Sequence, residues 1–175
     1  MQEVKLPLAI DPVRAAQKRL SYSGIMTPGQ LPRLNDAAPL VGVAQVELNC
    51  GVDAQKLAVL QGRVQARLSL VCQRCGAPFE QAFDVAFCYA PVAEGDDETQ
   101  IPDAYEPVLL DEHGELNLHQ LLEDELLLAL PLIPRHEVAD CLLDPQALTF
   151  GKIPEDAKPR NPFEVLSQLK KDREE

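Results

Sequence analysis

An alternating apolar stretch breaks off at a CxxCG and then resumes. Before the break Val64, Ala66, Leu68 and Leu70 share one face at a period of two residues, and after it Phe79, Phe83, Val85, Phe87 and Tyr89 do the same. Between them lies Cys72-Gln73-Arg74-Cys75-Gly76-Ala77-Pro78, in which the glycine and proline supply turn chemistry. The chain is thereby bound to an antiparallel hairpin that carries two thiols at its tip.

Two thiolates in a turn reach one zinc ion, but a structural zinc site takes four ligands. Cys88 lies well along the outgoing strand, roughly 30 Å from the tip at about 3.3 Å per residue. Cys50 closes an earlier alternating segment, with Val46 and Leu48, and falls at the far end if that segment pairs antiparallel with residues 63–72. Neither fits as a co-ligand. His136 and Cys141, an H-x4-C pair beyond a helix, remain as candidate partners for Cys72 and Cys75, at a place the sequence does not fix. The competing reading is a pair of free thiols, so no cofactor is expected, zinc being the one the cysteines would admit.

A length of 175 residues and 46% hydrophobic content suffice to bury a core, and a single domain is expected over 1–175. Five cysteines, an odd number, and an opening Met1-Gln2-Glu3-Val4-Lys5 without an apolar core predict a reducing, cytoplasmic setting. The most apolar run, Leu126 to Leu132, is far short of the roughly 20 residues of a membrane span.

Charge is concentrated rather than spread. Residues 1–34 carry +3, residues 35–93 carry −1, residues 145–175 balance, and residues 94–144 carry −14, so the total of −12 resides in one segment. A strongly acidic segment is a poor phosphate ligand. It reads either as a solvated face or as a docking surface for a basic partner.

Start and stop signals divide the chain into an N-terminal helix and loop (1–39), a β core (40–110), an acidic helix (115–132) and a C-terminal extension with a short helix (145–175). Asp11-Pro12 opens a helix to about Leu20, followed by a loop rich in Pro, Gly and Asn. Strands are predicted over 40–50, 57–72 with Gly62 as a bulge, and 78–90, as an antiparallel meander, with one more over 105–110. Residues 91–104 have the composition of an acidic loop. Asn117 caps a helix over 118–130 that sets Leu118, Leu121, Leu122, Leu126 and Ala129 at helical spacing, with Glu123, Asp124 and Glu125 on the opposite side. Asn161-Pro162-Phe163-Glu164 starts a last helix, 162–171. The fold class is α+β: an antiparallel sheet or small barrel-like core flanked by short helices.

Nothing assembles into an active site. No Gly-rich phosphate loop occurs, and His113 and His119 read as solvated histidines. The acids 123–125 are consecutive and fan around a helix instead of converging as paired carboxylates must. A thioredoxin-type role for the CxxC requires a strand-to-helix junction, whereas both flanks here read as strand.

Taken together, Val4-Lys5-Leu6-Pro7-Leu8, Asp11-Pro12-Val13-Arg14, Leu57-Ala58-Val59-Leu60 with Gly62, Cys72-Gln73-Arg74-Cys75-Gly76, Ala104-Tyr105-Glu106-Pro107, Glu123-Asp124-Glu125, Leu128-Ala129-Leu130-Pro131 and Asn161-Pro162-Phe163 resemble the YceD family, the large ribosomal RNA subunit accumulation proteins of bacteria. The resemblance runs nearly end to end. It implies a non-catalytic role in ribosome biogenesis, in the synthesis, processing or accumulation of large-subunit (23S) ribosomal RNA. It also implies a second cysteine cluster after the acidic helix, completing a zinc site; here that stretch retains only Cys141, with His136.

Two partners then compete. RNA would be met by Arg14, Lys18 and Arg19, by Arg74 at the tip and by Arg63 and Arg67 on the polar face of the hairpin. A basic large-subunit ribosomal protein would instead be met by the acidic segment, through Glu123, Asp124 and Glu125.

Overall fold

The computed structural model describes residues 6–93, 95, 101–143 and 151. The predicted 162–171 helix and residues 94 and 96–100 of the predicted acidic loop lie outside the described residues. Their elements are strand β1 (Ala9–Ile10), helix α1 (Pro12–Gln17), strand β2 (Ser21–Met26), helix α2 (Pro32–Ala37), strands β3 (Ala44–Val52), β4 (Ala58–Val71), β5 (Pro78–Val92), β6 (Glu106–Leu109) and β7 (Leu116–Asn117), and helix α3 (Leu118–Leu128).

Five strands form one sheet in the order β2-β3-β4-β5-β6. The pairings among β3, β4 and β5 are antiparallel, as the alternating segments predict, and so is that of β2 with β3, whereas β6 joins β5 in parallel, pairing Tyr89 with Glu106 and Val92 with Leu109. The sheet is therefore mixed and stays open, with β2 and β6 as edges and no closure into a barrel among the described residues. No described helix is long and apolar enough to cross a membrane.

Alternation decides which face is covered. Ala44, Val46, Leu48 and Cys50 of β3, Leu60, Val64, Ala66, Leu68 and Leu70 of β4, and Phe83, Phe87 and Tyr89 of β5 are buried on one side. Against them pack Ala15 and Ala16 of α1, Leu34 of α2, and Leu118, Leu122 and Leu126 of α3. Each fully buried leucine contributes about 2 kcal/mol of transfer free energy. The opposite face is polar: Arg63 pairs with Asp84, which also accepts from Gln65 Nε2 at 2.9 Å, and Arg67 Nη1 lies 3.6 Å from Glu80.

The helices begin where their caps predict. Asp11 accepts from the Arg14 N–H at 2.8 Å with Pro12 in the first turn, and Asn117 accepts from the Gln120 N–H at 3.1 Å. α1 ends early, at Gln17, because Arg19 adopts a left-handed φ of 52° and Leu20 turns back to donate to the Ala15 carbonyl at 3.0 Å. The residues that follow do not form the expected loop. They supply the edge strand β2 and helix α2, and Met26 of β2, Leu31 just before α2 and Leu34 of α2 are fully buried. Isolated apolar residues among Pro, Gly and Asn carry too short a period to reveal these elements.

Gly62 is no bulge: Leu48, Gly62 and Phe87 stand opposite one another in unbroken register. The residue is glycine because a Cβ there would overlap the Phe87 ring and lie 3.0 Å from the Glu47 carbonyl oxygen. Gly62→Ala is therefore expected to destabilise the protein by about 2 kcal/mol through overpacking. Urea unfolding measures it, and a wild-type midpoint would contradict the close approach.

A candidate metal centre at the hairpin tip

The tip is a tight knuckle. Cys72 N–H donates to the Ala77 carbonyl at 2.9 Å and Gly76 N–H to the Cys72 carbonyl at 2.8 Å, with Gly76 at a φ of +75° that glycine adopts without strain. β4 and β5 stay paired up to Val71 and Pro78, so both cysteines are delivered by the sheet's longest strand pair.

The second half arrives from beyond α3. Pro131 cannot continue a helix, and residues 131–141 run back over the tip, where Gln73 N–H donates to the Pro134 carbonyl at 2.9 Å. The His136 ring stacks on Phe79 with centroids 5.2 Å apart. A single 3-10 turn, Val138–Asp140, then presents Cys141. Cys72, Cys75, His136 and Cys141 each place one ligand atom in a group whose members all lie within 4.8 Å of one another. The complement that reads as incomplete in sequence is complete in space.

These donors fit zinc. A tetrahedron with zinc–sulfur bonds of about 2.3 Å has sulfur–sulfur edges near ~3.8 Å, within the observed spread. His136 Nε2 lies 3.7 Å from Cys75 Sγ, which turns that nitrogen toward the sulfurs, and its Nδ1 is buried without a hydrogen-bond partner among the described residues. Three sulfurs and one imidazole fill four positions, so such a site is closed and structural, with none left for a catalytic water.

Electrostatics separate Cys72 from Cys75, Cys50 and Cys88. Burial would push the Cys72 thiol up, but the N–H groups of Cys75, Arg74 and His136 and the Cys75 side chain outweigh it and bring it down to about 6. The Ala77 N–H draws Cys75 down; burial and the neighbouring Cys72 and Cys141 sulfurs leave it raised. Burial pushes Cys50 up to about 11 and raises Cys88 as well. Cys50 stands beside Leu60 and Cys88 beside Gln61, at the opposite end of β4 from the tip, where strand length puts them out of reach.

Of the cations proposed for RNA contact, Arg14, Lys18 and Arg19 are exposed on and after α1, and among the described residues none of them forms an ion pair. Arg63 and Arg67 are paired across strands, as described. Arg74 donates from Nε to Cys141 Sγ at 3.0 Å and from Nη2 to the carbonyls of His136 at 3.0 Å and Glu137 at 3.5 Å.

The three acids of α3 all have partners within the chain. Glu123 does not lie on the far side of the helix: it is 4% exposed and accepts from Arg33 Nε at 2.8 Å and from the Leu34 N–H at 3.0 Å. Asp124 meets Arg33 Nη1 at 2.7 Å, and Glu125 accepts from the Tyr89 hydroxyl. Burial first, and Glu125 second, hold that hydroxyl well above its usual range. Sequence reasoning missed Arg33 and Tyr89, since no short-range pattern ties either to α3. His113 is an exposed turn residue as expected, and the half-buried His119 approaches the Leu6 carbonyl at 3.4 Å.

The family model described as Large ribosomal RNA subunit accumulation protein YceD matches residues 60–170. A curated relative from Haemophilus influenzae, also named Large ribosomal RNA subunit accumulation protein YceD, is similar at 46% identity over 172 residues, 97% of this chain and 99% of its own. No solved structure matches.

Proposed function

Because the chain belongs to the YceD family of large ribosomal RNA subunit accumulation proteins, we propose that it promotes accumulation of large-subunit ribosomal RNA without catalysis, by binding that RNA through Arg14, Lys18 and Arg19. The observation that carries the surface is charge availability. These three cations are exposed and make no ion pair among the described residues, whereas Arg63, Arg67 and Arg74 are engaged by Asp84, Glu80 and the 136–141 turn. A phosphate contact needs a cation that is not already neutralised.

In this reading Cys72, Cys75, His136 and Cys141 hold one zinc ion, which fastens residues 131–141 to the β4–β5 tip. The support is the donor set and its closeness. Bound there, zinc supplies a structural crosslink in place of chemistry.

The test is binding of the purified protein to large-subunit RNA over a range of salt. Replacing Arg14, Lys18 and Arg19 by Glu is expected to abolish binding, and single neutralisations should each lower the salt slope by about one. Unchanged affinity in the triple variant would overturn the RNA surface. Recovery of a basic ribosomal protein and no RNA from crosslinked cells would assign the role to protein docking, which the exposed Leu128, Leu132 and Leu142 within the acidic stretch favour.

A further inference from the structure

We propose that Arg74 is a positioning residue of the metal centre, one that clasps Cys141 and the turn bearing it onto the knuckle, and that it is not an RNA ligand. The inference rests on the zinc reading above and concerns a residue outside the donor set. Arg74 lies between the two knuckle cysteines in sequence, yet its guanidinium reaches across to the other half of the site. It touches Cys141 Sγ at 3.0 Å and the His136 carbonyl at 3.0 Å, so one planar group holds both late-sequence ligands.

Two physical effects follow from that geometry. The first is charge. Three thiolates around a divalent ion leave one negative charge in excess, and a guanidinium in contact with one of the sulfurs offsets it. The second is preorganisation. Residues 131–141 carry little burial of their own, with Leu132, Ile133 and Val138 exposed, so their place over the tip depends on a few directed contacts. Besides the His136–Phe79 ring contact and the His136 N–H at Cys72, there are two of them, the Gln73 N–H to the Pro134 carbonyl at 2.9 Å and the fork of Arg74. Both come from the two residues between Cys72 and Cys75: the spacer that gives the knuckle its spacing also recruits the distant ligands. A lysine would restore the charge but not the fork, because its ammonium cannot donate along two fixed directions in a plane.

Cobalt(II) tests the assignment, since its thiolate-to-metal absorption reports the sulfurs bound. Metal-free wild type, Arg74→Gln and Arg74→Lys are titrated with cobalt(II), competed with a chelator, and treated with iodoacetamide when loaded. Mass spectrometry then locates the modified cysteine, and circular dichroism confirms that each variant keeps its sheet. Arg74→Gln is expected to bind cobalt ten- to a hundredfold more weakly, with a diminished thiolate band. Its Cys141 is expected to be alkylated at least tenfold faster than in the wild type, with Arg74→Lys between the two. Should Arg74→Gln fail to fold, the Arg74→Lys comparison carries the same three readouts. Affinity, spectrum and alkylation unchanged in a folded Arg74→Gln protein would overturn the inference, all the more if its RNA binding fell. A wild-type protein that develops no thiolate band would overturn the zinc reading and this inference with it.

Discussion

Replacing Cys72 and Cys75 together by serine is expected to abolish zinc retention and to lower the unfolding midpoint by about 10 °C. A ligand held at ~1000 times its dissociation constant stabilises the folded state by about 4 kcal/mol. For a chain of this size each kcal/mol moves the midpoint by roughly 2–4 °C. Serine hydroxyls are poor zinc ligands, and the pair left behind, His136 and Cys141, supplies half a coordination shell. The loss should be local before it is global. β3, β4 and β5 bury an apolar face against three helices, so their amides remain protected, while exchange in residues 131–141 accelerates. Metal analysis of purified protein, thermal unfolding and hydrogen exchange check the three parts. Serine at Cys50 or Cys88 should leave the metal in place. Stoichiometric zinc in the double variant would refute the centre.

The second large effect is expected at Glu123. Replacement by alanine removes both acceptors at once, leaving the buried Leu34 N–H unpaired and Arg33 without its inner partner. An unsatisfied buried N–H costs about 1–3 kcal/mol. Loss of the ion pair adds less, because Arg33 is half exposed and keeps Asp124. A total of about 3 kcal/mol should appear in urea unfolding. Glu123→Gln keeps an acceptor for Leu34 and should cost about half as much, whereas Asp124→Asn, on the solvent side, should cost under ~1 kcal/mol. A Glu123→Ala protein as stable as the wild type would show that α2 does not depend on this carboxylate. The comparison also separates roles: a docking acid is lost without loss of stability, and Glu123 is expected to behave otherwise.

What the sequence made legible was what local pattern encodes. Val64 to Leu70 and Phe79 to Tyr89 alternate cleanly, so the hairpin, its buried face and its CxxC tip follow from period and turn chemistry. Asp11-Pro12 and Asn117 mark helix starts because a cap needs only its next three residues. Excluding Cys50 and Cys88 required only strand length. Features set by long-range contact stayed hidden. The parallel pairing of β6 depends on how the chain returns after Val92, and no residue type announces it. Gly62 reads as a bulge until Phe87 is seen on the neighbouring strand. Glu123 looks like its neighbours Asp124 and Glu125 until α2 is seen beside α3. His136 and Cys141 are nameable as ligands by elimination, but their arrival at the tip is written in Pro131 and in Gln73 and Arg74, whose contacts span more than a third of the chain.

The short ladder between β1 and β7 bears on how this molecule is made. Ala9 pairs with Asn117, Leu118 N–H donates to the Leu8 carbonyl at 2.9 Å, and Leu34 waits on Glu123, 89 residues later. A ribosome adding roughly 5–20 residues per second delivers that glutamate about 4 to 18 s after Leu34. In the interval β2 to β5 can pair in order of emergence and α1 can settle on β3 and β4, while β1 has no partner. β1 is thus fixed only after β7 emerges, whereas Arg14, Lys18 and Arg19, on and after α1, take their place with β3 and β4.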